Sequence, residues 1–218
     1  VFAFSQSGQS PDIIDSLSLL RERGAVTVAL VNAEHTPLQA ASAYTLPLCA
    51  GAEHSVAATK SFIATLSASA RLVAHWANDK ALLEAGHLLP AGLRDACTQD
   101  WSKAIDTLRD AQRLLVIGRG AGFAIAQEAA LKFKETSTLQ AEAFSSAEVR
   151  HGPMALIDEN YPLLIFAPRG VEQAGLLTLA HDMRLRGARV LLAAPSDVPE
   201  RDLTLSQAAH PDLDPILA

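Results

Sequence analysis

The chain has 218 residues, 49% of them hydrophobic and 19% charged, with a formal charge of −6 and a pI near 5.6. This length allows a sizeable core in one large or two small domains, and the acidic balance argues against a nucleic-acid or acidic-membrane surface. Cys49 and Cys97 are isolated, so neither a disulfide framework nor a zinc pattern is present; with no membrane-spanning run and no signal peptide, a reducing cytoplasm is the expected setting.

Val1–Phe4 reads as a buried strand that stops where the hydroxyls begin. The chain opens inside this strand without a Met and stops at Pro215-Ile216-Leu217-Ala218, so further residues are expected beyond both ends. Next comes Ser5-Gln6-Ser7-Gly8-Gln9-Ser10, in which Ser10 has N-cap chemistry, Pro11 suits the first helical position and Asp12 suits the positive end of a helix. Ile13, Ile14, Leu17 and Leu20 then recur at helical spacing to about Arg23. A polar loop between strand and helix points hydroxyls and free N–H groups at one spot, which suits either a phosphate or a plain helix cap.

Gly24 is a C-cap residue, and Val26–Val31 is a second strand, completing a parallel βαβ unit. Ala43–Leu48 reads as a further short strand, Gly51–His54 as a loop, and Ser55 to about Trp76 as a long helix. Lys80–Asp110 carries helical periodicity interrupted by Pro90 and Gly92. A second unit opens with the strand Arg113–Ile117 and turns through Gly118-Arg119-Gly120-Ala121-Gly122 into the helix Phe123–Thr136. Loop and short helix follow to Ile157, then the strand Leu163–Ala167, the helix Val171–Arg186 and the strand Arg189–Ala193. The expected division is 1–78, a helical linker 79–112, and 113–218.

The halves resemble each other: Leu20-Arg21-Glu22-Arg23-Gly24-Ala25-Val26 has its counterpart in Met183-Arg184-Leu185-Arg186-Gly187-Ala188-Arg189. They differ after the preceding strand, where the first has the hydroxyl-rich loop and the second has Pro168-Arg169-Gly170-Val171-Glu172-Gln173. A loop demanded by folding alone would not be hydroxyl-rich in only one copy, which favours the phosphate reading. Gly118–Gly122 lacks the GxGxxG spacing of a dinucleotide site and reads as a tight turn. Lys132 and Glu135 share a face of an otherwise apolar helix, with Glu128 four residues before Lys132, so these charges are expected to face a cleft. In Arg150-His151-Gly152-Pro153 a histidine is held in a rigid loop, where functional groups are common.

Five motifs occur in one order: Ser5–Ser10, Val56-Ala57-Ala58-Thr59-Lys60, Glu128–Glu135, Ala141-Glu142-Ala143-Phe144, and His151-Gly152-Pro153-Met154-Ala155-Leu156-Ile157-Asp158. Together they resemble the tandem sugar isomerase (SIS) family, which includes the isomerase domain of glucosamine-6-phosphate synthase, SIS-type glucosamine-6-phosphate deaminases and fructosamine-6-phosphate deglycases. The resemblance implies an α/β protein of two SIS subdomains, each a parallel sheet flanked by helices in a flavodoxin-like, three-layer arrangement. It implies that Ser5, Gln6, Ser7 and Ser10 hold a sugar phosphate, that Val56, Ala57 and Ala58 contact the sugar, and that Glu135 shuttles the proton. Lys132 would line the site and order Glu135, and His151 would assist ring opening from a neighbouring subunit, making a homodimer the expected assembly.

The chemistry agrees with that assignment, because aldose–ketose interconversion needs a carboxylate base, a ring opener and a phosphate anchor. No metal or organic cofactor is called for. Two features favour a deaminase releasing fructose 6-phosphate and ammonia from glucosamine 6-phosphate: Ala58 stands where the synthase has a serine, and no fused glutaminase is expected. The alternatives are the isomerase domain of the synthase, a deglycase, and a non-catalytic sugar-phosphate sensor.

Overall fold

In a computed structural model describing residues 1–218, the first of two units, Val1–Gly86, is built on three parallel strands, β1 (Phe2–Ser5), β2 (Val28–Val31) and β3 (Tyr44–Pro47). They lie in the order β1-β2-β3, and the crossovers contain α1 (Pro11–Glu22) and α2 (Pro37–Ala41). The expected burial of the first strand holds on one face only. Ala3 joins Leu17, Ala29 and Leu38 in the core, whereas Phe2 and Phe4 are 41% and 48% exposed. Alternation along an edge strand sends these rings to the opposite face.

The second unit, His87–Ala218, holds β4 (Arg113–Gly118), β5 (Gln140–Ser145), β6 (Pro162–Phe166), β7 (Arg189–Ala194) and β8 (Leu203–Thr204). All neighbours are parallel in the order β5-β4-β6-β7-β8. Leu115, Ile117, Leu163, Ile165 and Leu192 form its core with Leu176, Leu179 and Met183 of α8 (Gln173–Leu185). Parallel strands flanked by crossover helices make this an α/β protein, as the order of elements predicts.

The internal repeat extends to atomic detail. Gly24 and Gly187 have φ of +88° and +86°. Gly24 N–H donates to Arg21 O and Ala25 N–H to Leu20 O; Gly187 N–H donates to Arg184 O and Ala188 N–H to Met183 O. Both helices thus end in the same Schellman motif, which needs a left-handed residue and therefore glycine.

Three expected elements differ. The helix expected from Ser55 is α3 (Lys60–Ala77), with Ser55–Thr59 a loop, because its first N–H groups are claimed from outside by Glu53. Pro90 and Gly92 do not interrupt α4 (Lys80–Ala96). Leu82, Ala85 and Leu89 bury one face of this helix, while Gly86 and Pro90 are exposed, so water can satisfy the carbonyl that Pro90 leaves without a donor. The segment read as loop after Thr136 contains the edge strand β5, preceded by α6 (Ala121–Ser137) and followed by α7 (Ser146–Val149). Its Gln-Ala-Glu-Ala sequence has poor strand propensity, and the ladder to β4 decides the conformation. The remaining helices are α5 (Ser102–Leu108) and α9 (Asp214–Leu217). No helix is long and apolar enough to cross a membrane.

Candidate functional site

In the first unit the expected ligand-binding residues lie on loops that leave the carboxyl ends of the strands, where ligands bind in open α/β sheets. The Ser5–Ser10 loop is braced internally: Gly8 N–H donates to Ser5 Oγ (2.9 Å) and Gln9 N–H to Ser7 Oγ (3.3 Å). Because each oxygen accepts from its own loop, each hydroxyl proton is left to donate elsewhere. Ser10 occupies the N-cap of α1 without a side-chain capping bond, and the Asp12 and Ile13 N–H groups have no partner in the chain. Hydroxyls and N–H groups in front of a helix N-terminus suit an anion.

Tertiary contact sets this loop's shape. Gly8 has φ +63°, and a Cβ there would lie 2.4 Å from Thr36 Oγ1. Thr36 is buried and forms a capping box with Gln39, while Gly8 O accepts from Leu38 N–H (3.2 Å). Gly8→Ala is therefore expected to cost about 2–3 kcal/mol, from left-handed strain and displacement of the Thr36 cap, and to weaken inorganic phosphate binding. Urea unfolding and phosphate calorimetry on the same variant check both effects.

Asn32 ties the loops together. Its N–H donates to Ser5 O (3.4 Å), its amide donates to Gly51 O (2.8 Å), and its side-chain oxygen accepts from Ala50 N–H (2.9 Å). Beyond Ala50 the chain reaches Val56, 96% exposed, with Ala57 and Ala58 half-buried. Glu53 Oε2 accepts from Ser61 N–H and Ser61 Oγ, both at 2.9 Å, and from Thr59 N–H at 3.3 Å. The Ser61 N–H, outweighing desolvation and aided by the Ser61 hydroxyl, Thr59 N–H and Lys60 charge, holds the Glu53 carboxyl below its usual range.

In the second unit, Glu128, Lys132 and Glu135 form one ladder along α6: Lys132 Nζ lies 2.9 Å from a Glu128 oxygen and 3.2 Å from a Glu135 oxygen. Desolvation alone would lower the Lys132 pKa, but hydrogen bonds and charges from Glu128 and Glu135 hold it above the ordinary lysine value. A cation bridging two carboxylates thus stays charged at neutral pH and fixes the direction of Glu135. His151 sits in the turn after α7, its N–H donating to Glu148 O (2.9 Å), and its ring is exposed without a hydrogen bond in the chain. No cluster of three or more His, Cys, Asp or Glu side chains is placed to hold a metal ion.

The corresponding edge of the second sheet differs. β4 stands between β5 and β6, so the crossovers leave in opposite directions and open a cleft of about 270 Å³. Arg119, Gly122, Pro168, Arg169 and Glu172 line it; Lys132, Glu135 and His151 do not. Arg169 is committed to buried Asp214 (2.5 Å), and the Glu172 carboxylate crowds Gly120 at the start of α6. A carboxylate at that helix end repels an anion, whereas the first copy offers hydroxyls.

Asn32, Thr36 and Glu53 are supports that no sequence expectation named, whereas the Glu128–Lys132 pair at i,i+4 is observed as expected. Thr36-Pro37-Leu38-Gln39 carried a legible capping-box pattern. Asn32 and Glu53 carried no local signal, because their partners are reached through space.

Parallel sheets whose strand ends carry a hydroxyl-lined loop at a helix N-terminus define an α/β protein equipped for an anionic ligand. Residues 1–74 and 107–195 match the SIS domain family, and the chain belongs to it. The glutamine–fructose-6-phosphate aminotransferase (isomerizing) of Gluconobacter oxydans (strain 621H) is 32% identical over 227 residues, covering 98% of this chain and 37% of the relative. The chain spans a little over a third of the length of such curated relatives. A solved candidate phosphosugar isomerase from Silicibacter pomeroyi DSS-3 superposes with a TM-score of 0.92 at 40% identity, over 99% of this chain and 66% of that one. The C-terminal domain of glucosamine-fructose-6-phosphate aminotransferase from Francisella tularensis superposes with a TM-score of 0.83 at 26% identity, over 99% and 66%.

Proposed function

We propose that the chain is the isomerising part of an enzyme acting on amino-sugar 6-phosphates, interconverting the aldose and ketose forms at C1 and C2. The observation that carries this reading is the Ser5–Ser10 loop, whose Ser5 and Ser7 hydroxyls donate to no group of the chain, together with the unpartnered N–H groups of α1. In this reading Ser5, Gln6, Ser7 and Ser10 hold the phosphate, and Val56, Ala57 and Ala58 contact the sugar. Glu135 takes the proton from the carbon beside the carbonyl or imine and returns it to the neighbouring carbon. Lys132 orients Glu135 and offers positive charge to the developing enolate oxygen. The exposed His151 ring assists ring opening, reaching into the site of a second copy in a homodimer.

Ala58 points toward release of ammonia from glucosamine 6-phosphate. The aminotransferase relatives, 32–34% identical, support the isomerase-domain reading better than the deaminase reading. One experiment separates the readings. The protein is incubated with glucosamine 6-phosphate, and separately with fructose 6-phosphate, in D2O, following ammonia, the sugar phosphates and deuterium at C1 and C2. Deuterium incorporation without ammonia supports the isomerase reading; equal amounts of ammonia and fructose 6-phosphate support a deaminase. Binding with no exchange at carbon would identify a sensor and remove the enzymatic reading.

A further inference from the structure

Residues 50–59, leading into α3, form a loop whose two ends are pinned while its tip stands free. Asn32 holds the entry at Ala50 and Gly51, and Lys60 Nζ donates to Ala52 O (2.7 Å) across the base. Glu53 then bonds to three donors at the exit, the Thr59 N–H and the N–H and hydroxyl of Ser61. Ser61 is 3% exposed, so this anchor is set into the first unit rather than lying on its surface.

The N-terminus of α3 explains why a residue outside the helix is used. Thr59 occupies the N-cap position but makes no side-chain capping bond, because φ −126° and ψ −53° turn its hydroxyl away and it donates to Ala57 O (3.2 Å). The orphan N–H groups of the first turn fall instead to a carboxylate six to eight residues upstream. A cap supplied from that distance does what an ordinary N-cap cannot: it closes a ring with Val56, Ala57 and Ala58 at its apex.

We propose that Glu53 is a positioning residue for the substrate site, fixing the backbone of Val56–Ala58 for contact with the sugar. The proposal rests on the sugar-contact role given to those residues above. Glu53 touches no reacting atom; it replaces ligand-induced ordering of the loop with order present beforehand, which lowers the entropic cost of binding. A phosphate held at Ser5–Ser10 alone does not call on this loop, so the two affinities are expected to separate.

The test compares the unaltered protein with Glu53→Ala and with the isosteric Glu53→Gln, which keeps one acceptor oxygen. Amide hydrogen exchange is followed over 54–61, and calorimetry measures binding of glucosamine 6-phosphate and of inorganic phosphate. In Glu53→Ala, exchange at Thr59 and Ser61 is expected to rise, and glucosamine 6-phosphate to bind about tenfold more weakly, the size of a lost helix cap. Inorganic phosphate affinity stays within about twofold, and Glu53→Gln falls between the two proteins. Unchanged exchange overturns the proposal, as does faster exchange with unchanged sugar-phosphate affinity or an equal loss for inorganic phosphate. If the unaltered protein does not bind glucosamine 6-phosphate, the proposed function falls and takes this substrate role with it. The exchange measurement would still establish whether Glu53 orders the loop.

Discussion

Glu135→Gln is expected to lower turnover of the sugar phosphate by about a thousandfold while leaving its binding nearly intact, the range associated with loss of a positioned general base. The glutamine keeps the size and one oxygen of the carboxylate, so it can still accept from Lys132, 3.2 Å away in the unaltered protein. What it lacks is an atom basic enough to take a proton from carbon. The loss therefore belongs in kcat, with KM little moved. Deuterium incorporation at C1 and C2 measures the step directly, and wash-in at the original rate would remove Glu135 from the mechanism. Lys132 keeps its partner Glu128, 2.9 Å away in the unaltered protein, so the charged ladder on α6 is retained and the loss reports chemistry and not folding.

The largest effect on stability is expected from Gly118→Ala. Gly118 ends β4 between its neighbours β5 and β6, and α6 begins three residues later. A Cβ on Gly118 would lie 2.2 Å from Gly122 O, 2.6 Å from Gly122 C and 2.8 Å from Phe123 N. All three atoms are backbone of the first turn of α6, so no side chain can swing aside. Either the end of β4 leaves its register opposite Ser145 or the helix lifts from the sheet. A cost of about 3 kcal/mol or more follows, at the upper end for overpacking. Gly175→Ala in the same unit is the control: nothing lies within 4 Å of the added methyl, and helix propensity predicts a gain of about 0.5–1 kcal/mol. Trp101, whose indole N–H donates to Thr204 O (3.1 Å), reports unfolding of this unit in a Trp76→Phe background. Equal denaturation midpoints for the two variants would show that the turn yields more readily than its backbone contacts allow.

The same turn shows how far local reading reaches. Gly118–Gly122 was legible as a tight strand-to-helix connection and not a dinucleotide cradle, because the glycine spacing alone excludes the latter. Which glycine is indispensable was not legible, since the clash is between Gly118 and the helix that packs back on it. Likewise, Arg-Gly-Ala in two places predicts two matching helix ends, and Gly24 and Gly187 adopt the same left-handed conformation. The burial of β1 departs from its apolar run because such a run does not reveal whether both faces of the strand are covered. The start of α3 was misjudged because its cap, Glu53, is supplied from outside the helix.

By itself the sequence determined the α/β class, the order of most elements, the paired helix ends and the ordered motifs of the SIS family, because each is written in local periodicity, turn chemistry or residue identity. Only the tertiary structure decided that β5 is a strand and that Gly8 is held against the Thr36 cap. It also decided that the Glu172 carboxylate lies against Gly120 at the start of α6. The physical reason is common to these cases: a ladder and a close approach are relations between groups brought together by packing, and the residues involved are compatible with other partners until the core forms.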